Sequence, residues 1–251
     1  MAEADKWMYK DKLCQVGTHH SHFINTLKEM LVARDFITEG HATRVTEHCV
    51  CLAKAANLPR MQLPDLELFA YFHDIGKVGV PDSVLNKPGP LTESERREME
   101  NHSEIGHRIA SVADDLAPIA KWILEHHERW DGTGYPHGIS GEDIPIQCRI
   151  LAIVDAYDAM TSDRPYRKAM EKEAAIRELE RNAGSQFDPT LVKLFIENCL
   201  GHSAALRNGK EPDECFAVKP GGTREKFHGM GEVESGSSCQ CGSWKKKLNY
   251  I

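Results

Sequence analysis

The chain has 251 residues, 41% hydrophobic and 27% charged, so it can bury a sizeable core and is not a disordered tail. Its 31 Lys and Arg stand against 38 Asp and Glu, a formal charge of -7, which excludes the broad basic footprint that duplex nucleic acid or an anionic lipid surface demands. No apolar run approaches the roughly 20 residues that span a bilayer, and the opening MAEADKWMYKDK lacks the apolar stretch of a secretory signal, so the expectation is a cytoplasmic chain with no membrane span.

In chain order, the spacing of Phe23, Ile24, Leu27 and Leu31 predicts a helix over residues 21–32, and Val45, Leu52 and Ala56 predict a second over 40–56 that ends before Asn57-Leu58-Pro59. Leu63-Pro64-Asp65 reads as a helix start, with an apolar helix running to Ile75 and stopped by Gly76 and Gly79. Residues 81–90 read as loop. Thr92 and Glu95 have the spacing of a capping box that opens a helix towards His102 and Arg108, and Pro118 begins another that reaches Glu128. The segment WDGTGYPHGISGEDIP holds four Gly and two Pro, too many for regular structure, and is expected to be an ordered functional loop. Helices follow over 146–161, 171–182 and 189–200, and with no alternating strand pattern the fold is predicted to be all-α. Residues 201–251 carry eight of the 19 Gly and lack either period, the pattern of a weakly structured tail. The tail's eight basic and six acidic residues leave residues 1–200 at -9.

The eight cysteines do not form the dense framework of a small secreted domain, so most are expected to be free thiols. Cys215, His228, Cys239 and Cys241 could ligate zinc, but the C-x-C spacing in a Gly/Ser stretch favours a plain tail. Histidine is the stronger signal, because seven of the 13 lie between His41 and His127. His73-Asp74 closes an apolar helix with one neutral and one anionic ligand type, and His126-His127 repeats the arrangement at another helix end. Asp155 sits in the apolar run ILAIVDAYDAM, where an unpaired carboxylate is expensive to bury. Each of these three features has an ordinary structural reading; a shared cation would account for all of them.

His73-Asp74-Ile75-Gly76-Lys77 and His126-His127-Glu128-Arg129-Trp130-Asp131-Gly132-Thr133-Gly134-Tyr135-Pro136 resemble the two signatures of the HD-GYP family, a branch of the HD phosphohydrolases. The likeness begins at Asp35, takes in His41, Leu85-Asn86-Lys87-Pro88-Gly89 and His102, continues through Asp155 to Asp163-Arg164-Pro165-Tyr166-Arg167, and covers residues 35–200. It implies an HD-type helical bundle with a GYP loop, preceded by an N-terminal helical extension over 1–34, too short for the sensor module that often accompanies the family. The resemblance further implies cyclic di-GMP as substrate, two divalent metal ions, iron or manganese foremost, and the ligands His41, His73, Asp74, His102, His126, His127 and Asp155, with Asp74 as bridge. Some members carry a Glu for a third metal four residues before the first ligand; here that position is Ile37, so two metals are expected, and Glu39 is not promoted.

Two ions a few ångströms apart could supply a phosphodiester with an activated water, charge neutralisation and a stabilised leaving oxygen, and they would reverse the local sign of an acidic body. Lys77, one turn beyond His73, is placed to touch a phosphate oxygen beside the catalytic Asp74. Arg164 and Arg167 resemble the family's basic residues near the substrate phosphates, with surface ion pairs to Asp163 or Glu171 as the alternative. Gly134, Tyr135 and Pro136 are binding candidates, since the loop is linked in the family to substrate access and to GGDEF-type cyclase partners; Arg129 and Asp131 could equally pair with each other. A homodimer through the N-terminal helix is a further expectation. The rival functions are hydrolysis of another cyclic dinucleotide or nucleotide, and a non-catalytic nucleotide-binding or cyclase-interacting module.

Overall fold

The computed structural model describes residues 24, 26–29, 31, 39–163 and 168–201. Arg164, Arg167, Ile37, the histidines at 19, 20 and 22, and the tail cysteines lie outside the described residues. Among those described the regular structure is helical: α1 Glu39–Ala55, α2 Leu63–Phe72, α3 Asp82–Leu85, α4 Glu93–Glu100, α5 His102–Ser111, α6 Ala120–Glu125, α7 Ile146–Thr161, α8 Lys172–Arg181 and α9 Pro189–Leu194. Short 3-10 turns join several of them, and an isolated bridge between Ala183 and Phe187 is the one extended pairing described.

Helix α7 is apolar on nearly every side, with Ile150, Leu151, Ile153, Val154, Ala156 and Met160 all buried, and a helix of that character belongs in the middle of a bundle. Helix α1 packs along it through Val45, Cys49 and Leu52, and α2 covers α1 with Leu66, Phe69 and Phe72. Helix α5 lies against α6 and against the 3-10 turn Ile75–Gly79 that follows α2. Gly76 permits that last contact: a Cβ there would strike the His102 carbonyl and stand 2.8 Å from its carbon. At the N-terminal end, Leu31 is buried and Ile24 and Leu27 pack against the same core, so the apolar stripe read there serves the chain's own interior.

Several boundaries differ from the sequence reading. The capping box forms as the spacing predicts, Glu95 N–H donating to Thr92 Oγ1 and Thr92 N–H to Glu95 Oε2, but the helix it opens stops at Glu100, and α5 starts afresh at His102. Asp82–Leu85 is a short helix inside the stretch read as loop, entered from Pro81, whose fixed φ suits a helix start. His73 and Asp74 fall just beyond α2, and His126 and His127 just beyond α6. The last helix ends in a π turn, Phe195–Cys199. The cysteine expectation is corrected in part: Cys49 and Cys148 are buried free thiols, whereas Cys51 on α1 and Cys199 in the π turn form a disulfide across 148 residues.

Candidate metal centre

The five histidines and two aspartates named from the sequence converge as two adjacent groups. Donor atoms of Asp74, His102, His126 and His127 lie within 4.8 Å of one another, as do those of His41, His73 and Asp155. Asp74 joins them: its Oδ1 is 3.5 Å from His102 Nε2 and its Oδ2 is 3.3 Å from His73 Nε2. Across the second group, His41 Nε2 stands 3.6 Å from Asp155 Oδ1.

Helix ends explain why the imidazoles point inward. The last carbonyls of a helix have no partner within it. His73 Nδ1 meets the Ala70 carbonyl at 2.9 Å, His102 Nδ1 that of Met99 at 2.6 Å, and His126 Nδ1 that of Ile123 at 2.7 Å. Each is three residues upstream, at the close of α2, α4 and α6. A nitrogen facing a carbonyl must carry the proton, so in all three rings Nε2 of the neutral imidazole is left as a lone pair aimed at the centre. The break at Asn101 is therefore what lets His102 use the end of α4. His41 is held differently, its Nδ1 2.7 Å from Asp158 Oδ2, while Arg44 Nε and Nη2 donate to the same carboxylate.

The donor set fits a cation. Nε2 of His102 stands 3.3 Å from Nε2 of His126, lone pair against lone pair, and 3.0 Å from Nε2 of His127, so one proton cannot serve all three. His73 Nε2 is buried without a hydrogen-bond partner. Burial, with the neighbouring imidazoles, pushes His126 and His127 well below the usual histidine range; burial also outweighs Asp74 in lowering His102. At His73 burial is overcome by the Asp74 carboxylate and the group is raised. Asp74 itself is buried, yet Lys77 and His73 hold it well below the carboxylate range. Neutral His102, His126 and His127 beside an ionised Asp74 are in the protonation states that ligation requires, while at His73 a cation would have to displace the proton that Asp74 favours.

Two cavities of about 260 Å³ flank this centre. One is lined by His73, His126, His127, Arg129, Gly134 and Asp155, the other by Lys77, Lys87, Gly89, Leu91, Met99 and His102, and they share Arg96, Glu100, His127 and Tyr135. Lys77 Nζ is 2.6 Å from Asp74 Oδ2, so it braces the carboxylate between the two groups while facing the second cavity. The Tyr135 ring stacks on His127 with centroids 4.8 Å apart. Pro136, joined to Tyr135 by a cis peptide bond, is absent from both linings.

The Gly/Pro-rich loop is ordered by hydrogen bonds to residues on either side of it. Glu128, nearly fully buried, accepts from the N–H groups of His137 and Gly138 at 2.7 and 3.1 Å, and Asp131 N–H donates to the Ser185 carbonyl. Gly134 lies so close to the chain before it that a Cβ would sit 2.6 Å from Glu128 Cα. Arg129 pairs with Asp131 at 3.5 Å, the bland reading of that pair, and also lines the first cavity. The sequence reading missed Asp158, Glu128, Arg96 and Glu100 as site residues. The i, i+3 spacing of Asp155 and Asp158 on one apolar helix was the available signal for the first. His48 is held between Tyr157 and Phe195, and His107 faces the Ala120 carbonyl, both away from the centre.

Known proteins resemble the chain in sequence and in fold. The family model described as HD domain matches residues 25–191. A cyclic di-GMP phosphodiesterase of Thermotoga maritima is 38% identical over 82% of this chain and 54% of its own length. A 3'3'-cGAMP-specific phosphodiesterase of Vibrio cholerae is 38% identical over 70% of this chain and 34% of its own. The chain thus spans about half or less of the curated relatives it matches. A solved cyclic GMP-AMP specific phosphodiesterase structure from Vibrio cholerae superposes with a TM-score of 0.53 at 20% identity, covering 75% of this chain and 50% of that one, a likeness of fold.

Proposed function

This chain belongs to the HD domain family, in its HD-GYP branch, and from that premise we propose that it is a metal-dependent phosphodiesterase that opens cyclic di-GMP to linear pGpG, with GMP as a further product. The observation that carries the reading is the pair of donor groups joined by Asp74, one carboxylate oxygen turned to each. His102, His126, His127 and Asp74 would hold one divalent ion, His41, His73, Asp155 and Asp74 the other, and the mixed imidazole and carboxylate set suits iron or manganese. Such ions supply Lewis acidity for a phosphodiester, activating water and neutralising charge on the phosphate.

The chain's own residues do the remaining work. Lys77 fixes the orientation of Asp74 and brings a positive charge to the second cavity, where an anionic phosphate would lie. Arg129 brings the same charge to the first. Tyr135, stacked on His127, shields that imidazole from bulk water and offers its ring face to a nucleobase. Arg164 and Arg167 are proposed as further phosphate contacts on the resemblance alone. The loop's exposed residues, among them Asp131, Thr133 and His137, are the proposed contact for a GGDEF-type cyclase.

Protein loaded with iron, manganese or nickel and incubated with cyclic di-GMP should yield linear dinucleotide; no linear product with any of the three would overturn the proposal. The second reading, hydrolysis of 3'3'-cGAMP, is favoured by the Vibrio relative of that specificity, and the ratio of kcat/KM for the two substrates decides between them.

A further inference from the structure

Glu100 is out of place in a site that takes a phosphodiester. The cavities carry Lys77, Lys87, Arg96 and Arg129, the charges an anionic ligand needs, and each of these basic groups is already paired with an acid: Lys77 with Asp74, Lys87 with Glu95 at 2.6 Å, Arg129 with Asp131, and Arg96 with Glu93 at 3.4 Å. Apart from the candidate ligands, two carboxylates line the cavities, Glu128 and Glu100. Glu128 is committed to the loop backbone through its hydrogen bonds to His137 and Gly138. Glu100 lines both cavities, and its ion pair with Arg96 is 3.6 Å long, beyond hydrogen-bond distance. It is near enough to Tyr135 to add, after burial, to the rise in that hydroxyl's pKa. A carboxylate there repels phosphate and suits a hydrogen-bond donor on the ligand instead.

Resting on the phosphodiesterase reading, we propose that Glu100, positioned by Arg96 one helical turn earlier, is a specificity-determining residue that accepts from the N1–H and 2-amino group of a guanine base. Guanine presents those two donors side by side, matching the two oxygens of a carboxylate. Adenine presents N1 as an acceptor at the same edge, and a lone pair would face the anion. A site built to receive donors rejects the analogue that lacks them far more strongly than an apolar pocket could, because the carboxylate is then desolvated without a partner. The shared position of Glu100 lets it read the base in whichever cavity the base enters.

Calorimetric titration of wild type, Glu100→Ala and Glu100→Gln with the cyclic dinucleotides of guanine, hypoxanthine and adenine tests this, and hydrolysis of each is followed in parallel. Hypoxanthine keeps N1–H and lacks the 2-amino group. Wild type should bind the guanine compound at least about tenfold more tightly than the adenine one, with hypoxanthine between. Glu100→Ala should collapse that order, and Glu100→Gln, which keeps one acceptor and the side chain's shape, should fall between. A helix-surface ion pair alone would shift the melting temperature and leave the order of bases untouched. An unchanged order in both folded variants overturns the proposal, as does wild type that binds guanine and adenine compounds equally. Binding in the expected order without turnover would overturn the hydrolase reading while leaving the assignment of Glu100 standing.

Discussion

Removing Asp158 should loosen the His41 side of the centre and destabilise the fold together, and the two effects can be separated. The side chain is 4% exposed; its Oδ2 accepts from His41 Nδ1 at 2.7 Å, Arg44 Nη2 at 3.1 Å and Ser162 Oγ at 3.3 Å, and its Oδ1 accepts from Arg44 Nε. Burial opposes ionisation, but the bonds from His41 and Arg44 bring the carboxyl from its usual 3.8 down to about 2. A folded pKa below the unfolded one contributes stability that is complete above the unfolded value and is lost as pH falls from near 4 through about 2; the size of the drop corresponds to about 2 kcal/mol. Glu and Asp residues elsewhere add to the acid transition, so the test is the difference between wild type and variant melts across that window.

Asp158→Ala removes both roles and should cost about 2–3 kcal/mol at pH 7, with metal affinity at the His41 group weaker by about 10–100-fold. Asp158→Asn can turn its carbonyl to His41, but its amide then meets the Arg44 Nε donor, so it should lose stability while keeping more of the metal affinity. Chemical denaturation gives the first quantity and metal titration the second. Wild-type metal affinity in Asp158→Ala would refute the positioning role, and equal behaviour of the two variants in both assays would refute the division of labour between the two oxygens.

Gly76→Ala forces a Cβ into the His102 backbone and should lower stability by about 2–4 kcal/mol, roughly 4–16 °C in Tm for a domain of this size; an unchanged melt would mean that α5 and the 3-10 turn do not meet as described. Glu128→Ala strips the acceptor from two loop N–H groups and should expose residues 130–145 to limited proteolysis, whereas Glu128→Gln, which keeps a carbonyl acceptor, should restore protection; identical digestion of both would contradict the anchoring role. Mass-spectrometric mapping of unreduced protein should yield a peptide pair linked through Cys51 and Cys199, and Cys51→Ser should lower stability by about 2–5 kcal/mol; two alkylated thiols in the native protein would contradict the link.

How much of this was legible in the sequence depended on whether a feature was local. The helix over Glu39–Ala55 and the buried helix Ile146–Thr161 follow from their own apolar spacing, and the Thr92 cap from a three-residue interval. The ligand candidates could be named because imidazole beside carboxylate at an apolar helix end is an expensive pattern without a cation. The break at Asn101 was not legible: Glu93–Ser111 has no Gly or Pro until Gly106, and although the His102 ring meets the Met99 carbonyl only three residues upstream, the donors it faces, Asp74, His126 and His127, are brought there by the fold. Asp158 and Glu128 read as ordinary charges because their partners lie 117 and 114 residues away for the one and around a loop for the other. The Cys51–Cys199 link, with 148 residues between its ends, has no local signature at all.

The metal content of the purified chain is the most direct test of a two-ion centre joined by Asp74. Elemental analysis after anaerobic purification should find two divalent ions per chain in wild type and no more than one in folded Asp74→Ala, because that carboxylate turns one oxygen to each donor group. Wild type with no bound metal, or Asp74→Ala that retains the full complement, would contradict it.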